Sequence, residues 1–514
     1  MNPSMKPFGE VSCEAEKDAL GDDYSEYFFE EAPFNLDSLI DDTYLIVGRR
    51  GCGKTSLAEY FKFQKQIPKM KCIDVDEPKV YGTVSRKIVD LLEYPFEVSI
   101  PRISDLWEYA IWGLIFHLYQ DSDSRIKAAS IVASEEESAS SIIKDIFAGV
   151  ISKYVVDKGD EITDQIDSLL NKAAFRSAKD AVLKITPKHP VIIAIDSMEH
   201  YSVGDQSAMW SIAGLVQCAS NFNTKYSKSG VHVKLFLTDE IFPHLQERVI
   251  TNTQKYVREP LFLHWRPRDL VRLVCWRLYK HLGLANSSEL THKNVDWEKF
   301  NDVHSKMWKP YFGERIENRN KITEYTFPYI LRHTQLRPRQ LVTLCNEIAK
   351  RAFKIGTFPN FSQDVLREAI WNCELSLANE VINAYSHIHP NIGSIVLALS
   401  GLPMTFKGNE LDKVAKRTAA QWESGEYSPD MFRQIVTEIG IIGRQRGSKD
   451  DRTGILEADF EFAMEDRLYI HEQDDCVVHP MFYRKLNILR QSSTCVYPFP
   501  NHPDFLTIAE MRRE

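Results

Sequence analysis

Residues 48–55 read GRRGCGKT, a complete G-x-x-x-x-G-K-[ST] pattern, and no other feature constrains the fold of this chain as tightly. Such a loop needs a strand to deliver the chain into it and a helix to carry the chain away. Only then do the loop's backbone N–H groups and the helix N-terminus converge on one anion. The flanks fit: Tyr44-Leu45-Ile46-Val47 reads as a strand, and Ser56-Leu57-Ala58-Glu59-Tyr60-Phe61 as the first turns of a helix. The pattern predicts a nucleoside triphosphate, ATP, with Mg²⁺, cradled by Gly48, Arg49, Arg50, Gly51, Cys52, Gly53, Lys54, Thr55 and Ser56. Lys54 is expected to reach the β- and γ-phosphates, and the Thr55 hydroxyl to sit on Mg²⁺.

A second strand is legible in VIIAIDSMEHY, starting at Val191. Its unbroken apolar run suits a parallel strand buried on both faces. Asp196 then stands at the carboxyl end, where open α/β sheets bind their ligands, and is expected to hold Mg²⁺, as in a Walker B strand. Ser197 occupies the position directly after it, where a glutamate base would be expected. Glu199 is the candidate for orienting the attacking water, against the alternative of a surface glutamate. A third apolar run, Val231 to Leu237, leads into Thr238-Asp239-Glu240. Thr238 is the first choice for a residue sensing the γ-phosphate, with Asp239 the alternative and a plain strand-capping turn the bland reading.

At 514 residues the chain is too long for one ordinary core, and two or three domains are expected. No apolar run approaches the ~20 residues that span a bilayer, and the acidic N-terminus lacks the basic and apolar regions of a signal peptide. Nine dispersed cysteines without a C-x-x-C pair suggest reduced thiols and a cytoplasmic location. Cys52 lies inside the phosphate loop, so its alkylation is expected to block nucleotide. The net charge of −9 gives no global reason to expect nucleic acid. The pairs His387/His389 and Cys476/His479 lack a full ligand set and read as packing residues.

Taken together, GRRGCGKTSL, VIIAIDSMEHY and KLFLTDEIF resemble the AAA+/STAND-like branch of P-loop ATPases, as do FLHWRPRDLVRLVCWRLY from Phe262 and FPYILRHTQLRPRQLVTLCNEIAKRA from Phe327. The chain is most similar to a bacterial P-loop ATPase family found near mobile elements and defence genes. Fold class is therefore expected to be α/β: a P-loop NTPase core with a parallel, AAA+-like sheet, a helical lid and a C-terminal winged-helix-like domain. The expected organisation is an arm over 1–40, the core over 41–265 with a helical insertion at about 100–186, the lid over 266–357, and the winged-helix-like domain over 358–514. Helical spacing supports the lid: Leu270, Leu273, Val274 and Leu278 share one face, as do Leu341, Leu344, Ile348 and Ala352. The resemblance implies a lid arginine reaching the γ-phosphate. Arg339 matches that position, with Arg337 its alternative and an exposed arginine without ligand contact the bland reading. Arg248 and Arg258 are candidate arginine fingers if the protein oligomerises. No LSGGQ-type signature precedes Asp196, which excludes an ABC ATPase.

Beyond Lys354 the chain reads as helices, with Ser428-Pro429 opening one that runs to Glu438, and then as short strands over 454–462, 468–471 and 476–479. The loop from Arg444 to Lys449, with Arg452, is the candidate contact to DNA phosphates, diluted by Asp450, Asp451, Glu457, Asp459 and Glu461. The resemblance implies an ATP-driven conformational switch or assembly ATPase in antiviral defence or a mobile-element system. Its expected partner is another copy of itself or an effector protein encoded nearby, with DNA a further candidate and no membrane. A DNA-dependent ATPase and a nucleotide-held scaffold with little hydrolysis are the two alternatives.

Overall fold

The computed structural model describes residues 6–76, 96–130, 138–154, 168–196, 205–248, 250, 253–284, 294–422, 427–464, 467–490 and 493–499. Two compact units divide the chain. One is continuous, Pro33–His264; the other joins Met1–Ala32 to Trp265–Glu514.

The continuous unit is built on a parallel sheet of five strands, β1 (Leu45–Gly48), β2 (Lys71–Asp76), β3 (Val191–Asp196), β4 (Val231–Thr238) and β5 (Leu261–Phe262), in the order β2-β3-β4-β1-β5. Every residue of β1, β3 and β4 is buried, which is why β1 and β3 run apolar up to their carboxyl ends rather than alternating; β4 also buries His232 and Lys234. With its helical packing, this mixed α/β unit resembles a P-loop NTPase core. Helix α1 (Lys54–Phe63) follows the loop, α2 (Phe96–Tyr119) opens the helical insertion, and α3 (Gln206–Tyr226) precedes β4. The spacing from Pro101 onward reads as a helix start, yet α2 begins five residues earlier and runs through Pro101, at the expense of one i→i−4 bond.

Helices α2 and α3 pack closely: a Cβ on Gly214 would stand 2.5 Å from Ile103, and Trp112 meets Phe222 and Tyr226 at 5.3 and 5.1 Å between ring centroids. Pairing between β1 and β4 begins at Leu235, so one edge of Val233 lacks a strand partner. The buried Asn223 of α3 fills that gap, donating to Val233 O at 2.9 Å and accepting from Val233 N at 3.1 Å. Lys234 is also fully buried in β4, and burial pushes its pKa down to about 7. Its ammonium donates to the carbonyls of Ile40, at 2.7 Å, and Thr43.

The second unit begins with an N-terminal arm pinned to its own helices. Phe8 is fully buried against Phe312 and Phe361, and Asn346 holds the backbone of Phe8 and Gly9. Arg277 pairs with Glu16 at 2.8 Å. Helices α4 (Pro267–Leu284), α5 (Pro338–Ile355) and α6 (Gln363–Ala384) follow, with a small antiparallel hairpin, β6 (Arg315–Glu317) and β7 (Thr323–Tyr325), between α4 and α5. The chain then forms β8 (Thr405–Lys407), α7 (Asn409–Thr418), α8 (Pro429–Glu438), β9 (Ile442–Gln445), β10 (Ile455–Asp459), β11 (Asp475–Val478) and β12 (Cys495–Tyr497). These strands make one sheet, ordered β12-β10-β9-β11-β8, antiparallel except at β10–β12. Ser428 caps α8 by accepting from Met431 N at 3.0 Å, as Ser-Pro before an apolar helix suggests.

Two local expectations differ from the structure. Residues 468–471 form no strand, because Asp474 closes a turn on His471, donating to its carbonyl and accepting from its N–H. Arg444 and Gln445 belong to β9 rather than to a loop. Arg444 and Arg446 stand 3.9 and 3.5 Å from Asp459 of the neighbouring strand, which offsets part of their charge. Among the described residues, no helix is long and apolar enough to cross a membrane.

Candidate functional site

The loop from Gly48 to Gly53 leaves the carboxyl end of β1 and enters α1 directly. Gly51 (φ +78°) and Gly53 (φ +103°) occupy the left-handed region, where a side chain is strained, so the motif's Gly53, and Gly51 at one of its variable positions, both meet a backbone need here. Gly48 is required for a different reason. A Cβ on it would lie 2.4 Å from Cys52 Sγ and 3.1 Å from Leu263 Cβ. Gly48→Ala should therefore destabilise this unit by about 1–3 kcal/mol through overpacking and weaken nucleotide binding. Adding Cys52→Ala should restore most of both, read by thermal denaturation and ATP titration; a double variant no better than the single would refute the contact as the cause. The Cys52 side chain is almost fully buried, which restricts alkylation to a loop that has opened.

Lys54 is 4% exposed. Its ammonium bends over the loop and donates to Gly48 O at 2.9 Å and Arg49 O at 3.3 Å. Thr55 and Ser56 follow in the first turn of α1, both half-buried. The sheet order then decides what faces the loop. β4 lies between β1 and β3, so Gly48, Thr238 and Asp196 end three consecutive strands, with Gly48 directly opposite Thr238. The Thr238 hydroxyl is buried and has no hydrogen-bond partner among the described residues. Asp196 is buried at the tip of β3.

The turn after Thr238 grips the loop. Asp239 N donates to Gly48 O at 3.2 Å, and the Asp239 carboxylate lies 3.5 Å from Arg49 Nε. Glu240, also buried, accepts from Arg50 N at 3.2 Å. Sequence reading overlooked Glu240; its only signal was the acidic pair after the apolar strand.

A backbone cradle with left-handed glycines, a lysine folded over it, an unpartnered buried hydroxyl and a buried carboxylate fit a phosphate-bearing ligand with a cation. They bring together Gly48 to Ser56, Thr238 and Asp196. Glu199 and the side chain of Arg248 lie outside the described residues. Arg258 donates from Nε to Lys255 O at 3.3 Å. Arg339 belongs to the second unit, where it donates to Val11 O at 3.0 Å and lies 3.8 Å from Glu380. Arg337 is buried in that unit and bonds Gln335 at 3.0 Å.

No family model matches the chain. It is similar over 506 residues to the "Putative transposon gamma-delta 80.3 kDa protein" of Escherichia coli (strain K12), at 22% identity, covering 95% of this chain and 68% of that protein. Among solved structures, it is similar to the Aeropyrum pernix ORC2 protein in its ADPNP–ADP complexes at 13% identity. That match covers 83% of this chain and 88% of the other, with a TM-score of 0.33. The ADP form of the same protein matches at 13% identity over 80% and 84%, with a TM-score of 0.30.

Proposed function

We propose that this chain is an ATP-binding and ATP-hydrolysing conformational switch or assembly ATPase. The observation that carries the reading is the convergence of the Gly48 loop, Thr238 and Asp196 on the carboxyl ends of adjacent strands. In this reading Lys54 holds the phosphates and Thr55 and Asp196 hold Mg²⁺. Bound there, the ion offsets phosphate charge. Thr238 senses the γ-phosphate with its hydroxyl, and Glu199 orients water. Arg339 and the arginine fingers rest on the family resemblance alone.

The order β8–α7–α8–β9–β10–β11, with β11 lying between β8 and β9 in the sheet, supports a winged-helix-like reading of the C-terminal part. The similarity to a transposon protein supports a mobile-element setting, in which the partner is a second copy or a protein encoded nearby. The pairing of Arg444 and Arg446 with Asp459 favours a protein partner over DNA.

ATP turnover by wild type and Glu199→Gln, with and without double-stranded DNA, tests the reading while oligomer size is followed. Glu199→Gln is expected to retain ATP and lose turnover by ~100-fold or more, with little stimulation by DNA. Unaltered turnover would remove Glu199 from its role. Strong DNA stimulation would turn the reading to a DNA-dependent ATPase, and ATP binding without turnover in wild type to a scaffold.

A further inference from the structure

The second unit contains a pocket that the nucleotide reading does not use. It is open to solvent and lies among the β6–β7 turn, the segment before α5, helix α6 and the end of the chain's last sheet. Its rim is an arginine cluster around one indole: the guanidinium carbons of Arg319, Arg484 and Arg490 stand 4.2, 4.7 and 5.6 Å from the centroid of Trp371. Arg484 is anchored by donating to Trp371 O at 2.8 Å. Arg319 has no hydrogen bond or ion pair among the described residues, and Arg490 has one carboxylate neighbour, Glu374, at 3.6 Å.

The floor is polar and unsatisfied. Glu374, His333 and Tyr483 are each more than nine-tenths buried, and Glu374 Oε2, both ring nitrogens of His333 and the Tyr483 hydroxyl lack hydrogen-bond partners. His333 Nδ1 lies 3.6 Å from Glu374, too far for a hydrogen bond. Burial pushes the Glu374 carboxyl up to about 7, against the pull of Arg490, Arg332, Arg319 and Arg484, so it is a weak counter-charge for the rim. Arg332, deeper in, is already matched by Glu324. Buried polar groups in native proteins are ordinarily paired. Three buried side chains with polar atoms lacking hydrogen bonds, beneath under-compensated arginines, form a site for a ligand with an anionic head and a hydrogen-bonding body.

We propose that this pocket binds a phosphate monoester of a polar small molecule, a mononucleotide or a sugar phosphate, with its phosphate on Arg319 and Arg490 and its body over Glu374, His333 and Tyr483. Planar guanidinium forks suit phosphate bidentately, and the buried triad supplies both donors and acceptors to a hydroxyl or base edge.

The test uses the full chain carrying Lys54→Ala, so that the phosphate loop does not dominate, titrated calorimetrically with AMP, GMP, glucose 6-phosphate and inorganic phosphate. At least one monoester is expected to bind about tenfold or more tightly than inorganic phosphate, and which one binds separates nucleotide from sugar phosphate. Arg319→Ala with Arg490→Ala, both exposed positions, should weaken that binding at least about tenfold while leaving the melting temperature unchanged. Tyr483→Phe should weaken the monoester but not inorganic phosphate. Equal binding of phosphate and every monoester, or monoester binding indifferent to the arginine changes, would overturn the proposal.

Discussion

Lys54→Ala is expected to weaken ATP binding by about 100-fold or more and to abolish turnover, with the fold intact. Two charge-assisted hydrogen bonds to phosphate, at about 1.5–3 kcal/mol each, account for a loss of that size. Stability should change little, for a reason visible in the loop. The two carbonyls that Lys54 now bonds each keep another donor: Asp239 N at Gly48 O, and Cys52 N at Arg49 O, both at 3.2 Å. Removing the ammonium therefore leaves neither carbonyl without a donor. A fluorescent ATP analogue titrated against wild type and variant, beside a thermal melt of each, separates the two effects. ATP affinity equal to wild type would sink the assignment of this loop, and a collapsed melt would show that Lys54 holds the fold instead.

The phosphate loop was legible because its chemistry is local. The glycines, lysine and threonine act within eight residues, and the left-handed backbone at Gly53 falls on a glycine of the pattern. Strands β1 and β3 were legible because burial on both faces leaves an unbroken apolar run, and β4 because apolar residues flank its buried His232 and Lys234. The edge strand β2, Lys71-Cys72-Ile73-Asp74-Val75-Asp76, escaped notice since it is half-buried and mixes apolar with charged residues. β5 is two residues long and carries no pattern. The end of β9 reads as part of a basic loop because Arg444 and Gln445 are polar, and only pairing with Asp459's strand reveals the register. The grip of Glu240 on Arg50 depends on β1–β4 pairing, and the arginines around Trp371 come from segments more than 150 residues apart. Contacts of that kind leave no trace in local spacing.

The largest expected loss of stability lies in the second unit, at Arg332. Its guanidinium is buried and donates twice to Glu324, at 3.1 Å each, while packing 5.1 Å from the centre of the Tyr329 ring. Burial is the largest single influence and opposes its charge, yet the Glu324 carboxylate together with Cys495, Tyr329 and Tyr497 outweighs it and holds its pKa above the ordinary arginine value. Glu324 is itself buried, also accepting from Asn318 Nδ2. Arg332→Met would preserve most of the volume and leave that carboxylate without its cation, a change costing about 3–5 kcal/mol. Native domains hold only about 5–15 kcal/mol in total, so this unit should unfold at a much lower denaturant concentration. Adding Glu324→Gln removes the stranded charge and keeps an acceptor for Asn318, and should recover at least half of the loss. Urea unfolding followed by tryptophan fluorescence measures both steps. A single variant within about 1 kcal/mol of wild type would mean that Glu324 takes up a proton or reaches solvent when its partner leaves, and that the pair does not hold this unit together. Because Arg332 and Glu324 lie far in sequence from the phosphate loop, a destabilised Arg332→Met protein that still binds ATP normally would also show that the loop folds without this unit's full stability.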